Sequence, residues 1–305
     1  MATAPDVVIL GGSREGWHGA RLRQALERLG LAVERVSFEA CGFHVGGAGP
    51  GVRLGGLAAL PRGAVVRFIP GGTFEQVTLR LGLLQALEEL GVVVVNTARA
   101  IERCVDKSMT SFLLARAGLP TPPTWVVEAG EQAWALVERA SAAGEPPLVL
   151  KPLFGAQGRG LRLLRGPDEL PAPEEVGGVY YLQRFVGPSD GGWRDHRVFV
   201  VGSTAVAAMA RRGASWVTNV GQGGVPEPAP AEGQLAELAV AAAAAVGADH
   251  AGVDLIEDAR GGLQVLEVNS MPAWQGLQSV SPVDIAGQLA ARVAGLLRPG
   301  LRAVG

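Results

Sequence analysis

The sequence predicts a mixed α/β fold of the α+β type, in which a small parallel unit precedes a series of antiparallel hairpins. Three observations lead there. The first hundred residues alternate short, wholly apolar strands with segments of helical period, the pattern of a parallel sheet covered on both faces. Later segments set β-type runs on either side of tight turns. Apolar residues make up 48% of the 305 and charged residues only 18%, so the chain can bury a sizeable core. That length leaves room for two or three small domains.

Taken in order, residues 7–10 (VVIL) form a buried strand ending at Gly11-Gly12, and 17–30 carry helical periodicity closed by Gly30. The glycine-rich stretch 42–56 reads as loop. Residues 64–69 are a second buried strand, Thr73 is the N-cap of a helix over 74–90, and 92–95 (VVVV) is the next strand. A helix over 106–117 opens the middle unit, followed by strand 124–127, helix 130–143 and strands 147–151, 161–164 and 179–185. The last unit holds strands near 196–201 and 204–210, a proline-rich loop at 226–230 and a helix over 233–246. Strands 252–257 and 263–268 then flank a turn at 258–262, and a final helix covers 282–297. The expected domains are 1–97, 98–185 and 186–305.

Composition excludes several functions. A net charge of −2 argues against a groove that tracks nucleic-acid phosphates. Cys41 and Cys104 cannot make a disulfide framework, and four scattered histidines give no zinc cluster. No basic n-region precedes the first strand and no apolar run reaches membrane-spanning length, so a cytoplasmic protein is expected. Of the 27 basic residues only Lys107 and Lys151 are lysines. Surviving lysines in an arginine-rich chain mark places that need a compact charge on a flexible stem.

Two constellations carry chemistry. Gly155, Gln157, Gly158 and Gly160 belong to a GAQGRG loop with β-type sequence on both sides, so the loop caps a hairpin. A dinucleotide fingerprint would need a helix after it, and a Walker A loop a Lys-Ser/Thr. Such a tip exposes N–H groups without Cβ bulk and can fold over a phosphate chain, with Lys151 on the incoming strand; an ordinary flexible hairpin fits the same residues. The second is Asp254 with Glu267 and Asn269. Glu267 and Asn269 share a strand face, and pairing Glu257 with Gln264 across the turn sets Asp254 opposite Glu267. Three hard oxygen donors suit Mg²⁺; opposed carboxylates without a cation would repel, which disfavours the competing reading of a solvated stripe. Arg197, Arg211 and Arg212 suit planar anions, although each alone reads better as a solvated surface group.

The order of these features resembles the ATP-grasp superfamily, most closely its RimK-type amino-acid ligases. AIERCVDK, LARAGLPTPPTW, VLKPLFGAQGRG, AGVDL, LEVNSMPAWQGLQ and VDIAGQ carry the resemblance, which runs from about Asn96 to Ala294. It implies an N-terminal pre-ATP-grasp domain, a central lid domain and a C-terminal ATP-grasp domain. ATP then lies between the last two, with Lys107 and Lys151 on its phosphates and the glycine loop as lid. Gln183, Arg184, Phe185 and Val186 frame the adenine through their backbone, and Asp195 lies near the ribose. Asp254, Glu267 and Asn269 hold two Mg²⁺, a role Mn²⁺ can also fill. Arg197, Arg211 and Asn219 serve as the catalytic set that steadies the developing charge or the bound carboxylate. The implied reaction phosphorylates a carboxylate and passes the acyl group to an amine.

Three departures from the family pattern bear on the substrate. Arg184 replaces an acid, Val217-Thr218-Asn219 replaces a segment that begins with arginine in the ribosomal-protein-modifying members, and the stretch with Gly191-Gly192-Trp193 is longer. The sequences it most resembles are ligases of tetrahydromethanopterin- and methanofuran-type coenzymes, which implies small-molecule substrates, glutamate among them. Family members often assemble as homo-oligomers. Peptide or protein-tail ligation and a non-catalytic ATP-binding module remain the alternatives. On these grounds Lys151→Ala and Asp254→Asn are expected to fold normally and release no ADP. Arg67 and Gly71-Gly72-Thr73, between strand and helix, could bind an acceptor carboxylate; a structural turn explains the GGT equally well.

Overall fold

In the computed structural model, which describes residues 4–46, 51–155, 157–188 and 192–298, the chain opens with strand β1 (Val7–Gly11) and helix α1 (Trp17–Arg28). There follow β2 (Val33–Ser37), β3 (Cys41–His44), β4 (Gly51–Leu54), β5 (Gly63–Val66), α2 (Phe74–Glu89) and β6 (Val93–Val95). Strands β2-β1-β5-β6 make a parallel sheet in that order. Alternation explains why β1 is apolar throughout. Val7 and Ile9 pack towards Leu22 and Leu26 of α1, while Val8 and Leu10 pack towards Leu83, Leu84 and Leu87 of α2.

The stretch 42–56 is not a loop. Cys41↔Leu54 to His44↔Gly51 pair as an antiparallel hairpin, and Val52 and Leu54 are buried in the α2-side core. Glycine density hid an apolar alternation of only two residues. Residues 47–50 of that stretch lie outside those described.

The middle of the chain contributes α3 (Ala98–Val105), α4 (Lys107–Arg116), β7 (Thr124–Val127), α5 (Gly130–Ala142), β8 (Leu148–Lys151), β9 (Arg162–Leu164) and β10 (Tyr180–Arg184). Helix α3 was not foreseen; Asp106 ends it and caps α4, accepting from the Ser108 and Met109 amides. The sheet β7-β10-β8-β9 is antiparallel and packs against α5. Helices α3 and α4 pack elsewhere: Ile101 joins the N-terminal core, and Leu113 and Leu114 join the C-terminal one.

The C-terminal part runs β11 (Arg194–Val201), β12 (Thr204–Arg212), β13 (Val225–Ala229), α6 (Gly233–Val246), β14 (His250–Glu257), β15 (Leu263–Asn269), α7 (Gln275–Val280) and α8 (Ile285–Leu296). Its antiparallel sheet has the order β13-β12-β11-β14-β15. The proline-rich loop expected at 226–230 is largely strand β13. Pro226 and Pro228 face Arg211 and Met209 on an edge strand, where alternate missing N–H groups can point away from the sheet. The alanines of α6 cover one sheet face. On the other, Phe199, Met209 and Trp274 share a core with β1, α1 and α8, so the first and last units are fused.

Asn96 pins that fusion. Fully buried, it donates through Nδ2 to the carbonyls of His250 and Ser270 (both 2.7 Å) and accepts from the amides of Asp249 (2.6 Å) and His250 (3.0 Å). All four side-chain hydrogen bonds are made, so an apolar substitute would orphan four buried backbone groups. Among the described residues no helix is long and apolar enough to cross a membrane.

Candidate active site

The hairpin β14–β15 supplies the acidic groups. Asp254 does face Glu267, but by a different route from the symmetric pairing expected. Glu257 pairs with Leu263 and Leu255 with Val265, so a β-bulge at Leu266 restores the 254–267 register. The bulge turns Leu266 and Glu267 to the same side, and both line one cavity. Uniform alternation would have put Leu266 on the opposite face.

Register also builds an arginine–aspartate ladder across three strands. Arg197 is the cross-strand neighbour of Asp254, and Asp195 of Arg211. Arg197 donates to both oxygens of Asp254 at 2.7 Å through Nε and Nη2. Arg211 donates to both oxygens of Asp195, at 2.7 and 2.5 Å, and its Nη2 reaches Asp254 at 3.1 Å. Burial works against the charge on Asp254, but Arg197 and Arg211 override it and hold the carboxyl well below its ordinary range. Burial opposes the Arg211 charge too, and Asp254 and Asp195 override that. Arg212, the next residue, points outward to half-buried Glu227, as alternation requires.

A carboxylate offers about four lone-pair sites, and the arginines take one on Asp254 Oδ1 and two on Oδ2. One site on Oδ1 stays open. Glu267 accepts from Asn269 Nδ2 at 3.0 Å, which holds the two side chains together. Two carboxylates and an amide with open oxygen sites fit Mg²⁺, which fills its other positions with water and phosphate oxygens.

The two lysines approach the same carboxylates. Asp106 caps α4 and so places Lys107 in its first turn, where Nζ donates to the carbonyls of Gly155 (2.8 Å) and Leu153 (3.3 Å) at the root of the glycine loop. Lys151, at the end of β8, donates to Oε1 of Gln183 at 2.6 Å. Gln183 itself is fixed by donating to Thr124 Oγ1 (3.0 Å) and the Tyr181 hydroxyl (3.2 Å). Burial pushes Lys151 down to about 8, with nearby Glu267 opposing that and Lys107 adding to it. Burial likewise lowers Lys107, against the pull of Glu267 and Asp106.

The glycine loop joins β8 and β9 as a hairpin. Gln157 and Gly158 have φ of 62° and 68°, and a Cβ on Gly158 would fall 2.4 Å from Asn219 Oδ1 and 2.9 Å from Val217 Cγ1. The loop therefore lies directly on the 217–219 segment. Ala156 is outside the described residues.

Lys107, Lys151, Gly155, Gln157, Gly158, Gln183, Arg184, Phe185, Val186, Asp195, Arg211, Asn219, Asp254 and Glu267 all line this cavity of about 110 Å³. Gly160 follows in the same loop, its Cβ position 2.9 Å from Pro152. Around the 183–186 segment, the Arg184 and Phe185 amides are spent on the Pro123 and Pro147 carbonyls, and the Val186 amide has no backbone partner among the described residues. The Arg184 side chain turns away to Glu145 (2.5 Å) and over Trp125. Phe185 sits edge-on to Trp193 and Trp216, each at 6.0 Å. Trp216, Ile256 and Leu266 complete an apolar wall that the sequence analysis missed. Ile256 was findable, two residues from Asp254 on the same strand face; Leu266 needed the bulge. Gly191, in the stretch expected to be longer than usual, is outside the described residues.

A second cavity, of about 760 Å³, adjoins the first, and Gln157, Arg211, Asn219 and Glu267 line both. Arg197 and Asn269 face the second, with Arg67 and the β1–α1 loop on its N-terminal wall. The GGT segment does not line it. Thr73 accepts from the Gln76 amide while the Gln76 side chain accepts from the Thr73 amide, so that helix start is closed by its own capping box.

Comparison with known proteins places this geometry. The family model of the RimK-like ATP-grasp domain matches residues 104–293. A tetrahydromethanopterin:alpha-L-glutamate ligase of Methanococcus maripaludis is 38% identical over 216 residues, 69% of this chain and 72% of that protein. A probable alpha-L-glutamate ligase of Legionella pneumophila is 30% identical over 298 residues, 93% of each chain. Among solved structures, the ATP-grasp ligase PsnB complexed with its minimal precursor superposes with a TM-score of 0.73 at 22% identity, covering 97% of this chain and 100% of that one. A RimK domain protein from Sphaerobacter thermophilus gives 0.68 at 22% identity, covering 94% and 98%.

Proposed function

The chain belongs to the RimK-like ATP-grasp family and is an ATP-dependent ligase that forms C–N bonds, and from that premise we propose that it adds L-glutamate to a small carboxylated one-carbon coenzyme of the tetrahydromethanopterin type. The observation that carries this reading is the shared wall: the cavity holding both lysines and both acidic groups meets the larger cavity at Gln157, Arg211, Asn219 and Glu267. A phosphoryl donor on one side and an acceptor carboxylate on the other would meet there.

In this reading the acceptor carboxylate attacks the γ-phosphorus, the bond to the β,γ-bridging oxygen breaks, and ADP leaves with that electron pair. The amine of glutamate then attacks the acyl carbon, phosphate departs, and the amine loses a proton as the amide forms. No protein nucleophile is needed; catalysis is positioning and charge neutralisation. Lys107 and Lys151 lie on the phosphates, and Lys107 ties the glycine lid to them through its carbonyls. Gln183 aims Lys151, while the Val186 amide and the apolar wall receive the adenine. Asp195, spent on Arg211, acts by holding that guanidinium towards the shared wall, where Arg211 and Asn219 meet the transferring group. Arg197 sets the orientation of Asp254. Asp254, Glu267 and Asn269 would hold two Mg²⁺, replaceable by Mn²⁺, which supply charge neutralisation across the phosphates.

The test is ADP release from the full chain with L-glutamate and a panel of carboxylated coenzymes, amino acids and peptides, followed by product mass. The expected product has the mass of coenzyme plus glutamate less one water. Release only with peptide acceptors would overturn the coenzyme assignment.

A further inference from the structure

The second cavity carries positive charge that the reaction above does not use. Arg67 follows β5 and lies on the cavity wall, its guanidinium 4.4 Å from the Trp274 ring centroid. Nη2 donates to the Pro272 carbonyl at 2.7 Å, whereas Nε and Nη1 are buried without a partner. No carboxylate offsets it among the described residues: burial alone acts on the group and pushes it down to about 9. Arg14 and Arg35 stand on the same wall. Arg35 spends Nη1 and Nη2 on the Gly12 and Ser13 carbonyls, and the nearby acid, Glu15, is occupied by Arg23. Arg14, Arg35 and Arg67 thus share the N-terminal wall, where Glu15 is already engaged, while Glu267 stands on the wall shared with the first cavity beside Asn269.

Arg67 is half-buried, but its Nε and Nη1 are buried without a partner, which is costly, and an aromatic face with one carbonyl offsets only part of the cost. Bracing the Pro272–Trp274 segment does not account for it, because His18 already holds that segment by accepting from the Trp274 and Gln275 amides at 3.0 and 3.2 Å. The cavity, at about 760 Å³, is also the size of sites for ligands much larger than one amino acid.

We propose that Arg67, supported by Arg14 and Arg35, is the receptor for a substrate carboxylate other than the one phosphorylated, so that the cavity selects substrates with more than one carboxylate. The proposal rests on the ligase reading for the identity of the cavity. That carboxylate comes from glutamate or from the acceptor, and the experiment separates the two.

Binding is measured by calorimetry on the full chain with the non-hydrolysable ATP analogue AMPPNP and Mg²⁺ present. The probes are L-glutamate, L-glutamine and L-isoglutamine, and each candidate coenzyme with its carboxylates free or amidated. One charge-assisted hydrogen-bonded pair corresponds to about tenfold or more in Kd. Wild type is expected to prefer the free carboxylate to its amide by that factor in one series, glutamate or coenzyme, which names the source. Arg67→Gln is expected to erase the preference without changing AMPPNP affinity, and Arg67→Lys to restore part of it. Should Arg67→Gln fail to fold, the wild-type amide series and exposed Arg14→Ala, expected to reduce the preference, still decide. Equal wild-type binding of acids and amides in both series, or a folded Arg67→Gln that keeps the preference, overturns the proposal. Failure of the ligase reading shows separately, as absence of ADP release by wild type with every acceptor.

Discussion

The C-terminal sheet and the N-terminal wall of the second cavity handle arginine in opposite ways. On the sheet each of the two inward guanidiniums comes with an aspartate from the neighbouring strand, Arg197 with Asp254 and Arg211 with Asp195. On the N-terminal wall, Arg67 has an indole face and a carbonyl but no acid among the described residues. A paired site is preorganised and holds its geometry with or without ligand. An unpaired one is completed by the anion it receives. Chemistry common to the family suits the first arrangement, and substrate choice suits the second.

The sharpest test of this contrast is Asp254→Asn. Sequence reasoning expected the variant to fold normally, but the structure makes Asp254 the shared partner of two largely buried guanidiniums. Breaking a buried pair by removing one partner costs about 3–5 kcal/mol. Chemical denaturation should find a loss of about 3 kcal/mol, and coupled assays should find ADP release reduced by at least about 100-fold. Wild-type stability would show that the ladder is not the frame proposed here.

Lys151 comes next. Its folded value near 8 lies below the ordinary 10.5, so the fold disfavours its charge. Between those two values the unfolded chain binds more protons, and this group makes stability rise with pH from about 8 to 10.5; below 8 it adds no pH dependence. Phosphates, by contrast, favour the ammonium. AMPPNP affinity should therefore fall above pH 8 by up to about tenfold per unit, while Lys151→Arg gives a flat profile. Lys151→Met should keep or gain stability and lose turnover; a marked fall in its Tm would contradict the burial argument.

Gly158→Ala is expected to have a smaller effect. Its Cβ would meet Asn219 and Val217 at a φ of +68°, so the lid should seat poorly, lowering kcat about tenfold at a strain cost of about 1–3 kcal/mol. Smallest is Arg212→Ala. That side chain leaves the strand on the face away from the ladder, and both Tm and ADP release should match wild type.

The β14–β15 hairpin shows where reading the chain succeeded and where it stopped. Asp254, Glu267 and Asn269 were identifiable as polar positions at strand spacing within apolar runs, and their grouping holds. The bulge at Leu266 was not, because one extra residue in a strand leaves no compositional mark. The two lysines were legible through their rarity, and both do line the first cavity. Gln183 was identified for its backbone, yet its side chain proves to aim Lys151, a contact between residues 32 apart in sequence. Strands β3, β4 and β13 were missed because glycine and proline read as breakers, although a hairpin tip and a sheet edge tolerate both.

By itself the sequence determined the alternation of elements, the glycine hairpin and the kinds of side chain available for phosphate and metal, since these depend on local spacing and residue chemistry. Only the tertiary structure decided which charges neutralise one another. Whether an arginine ends beside an aspartate or alone over an indole depends on strand register and on the packing of the first unit against the last, and burial then sets how much that difference is worth.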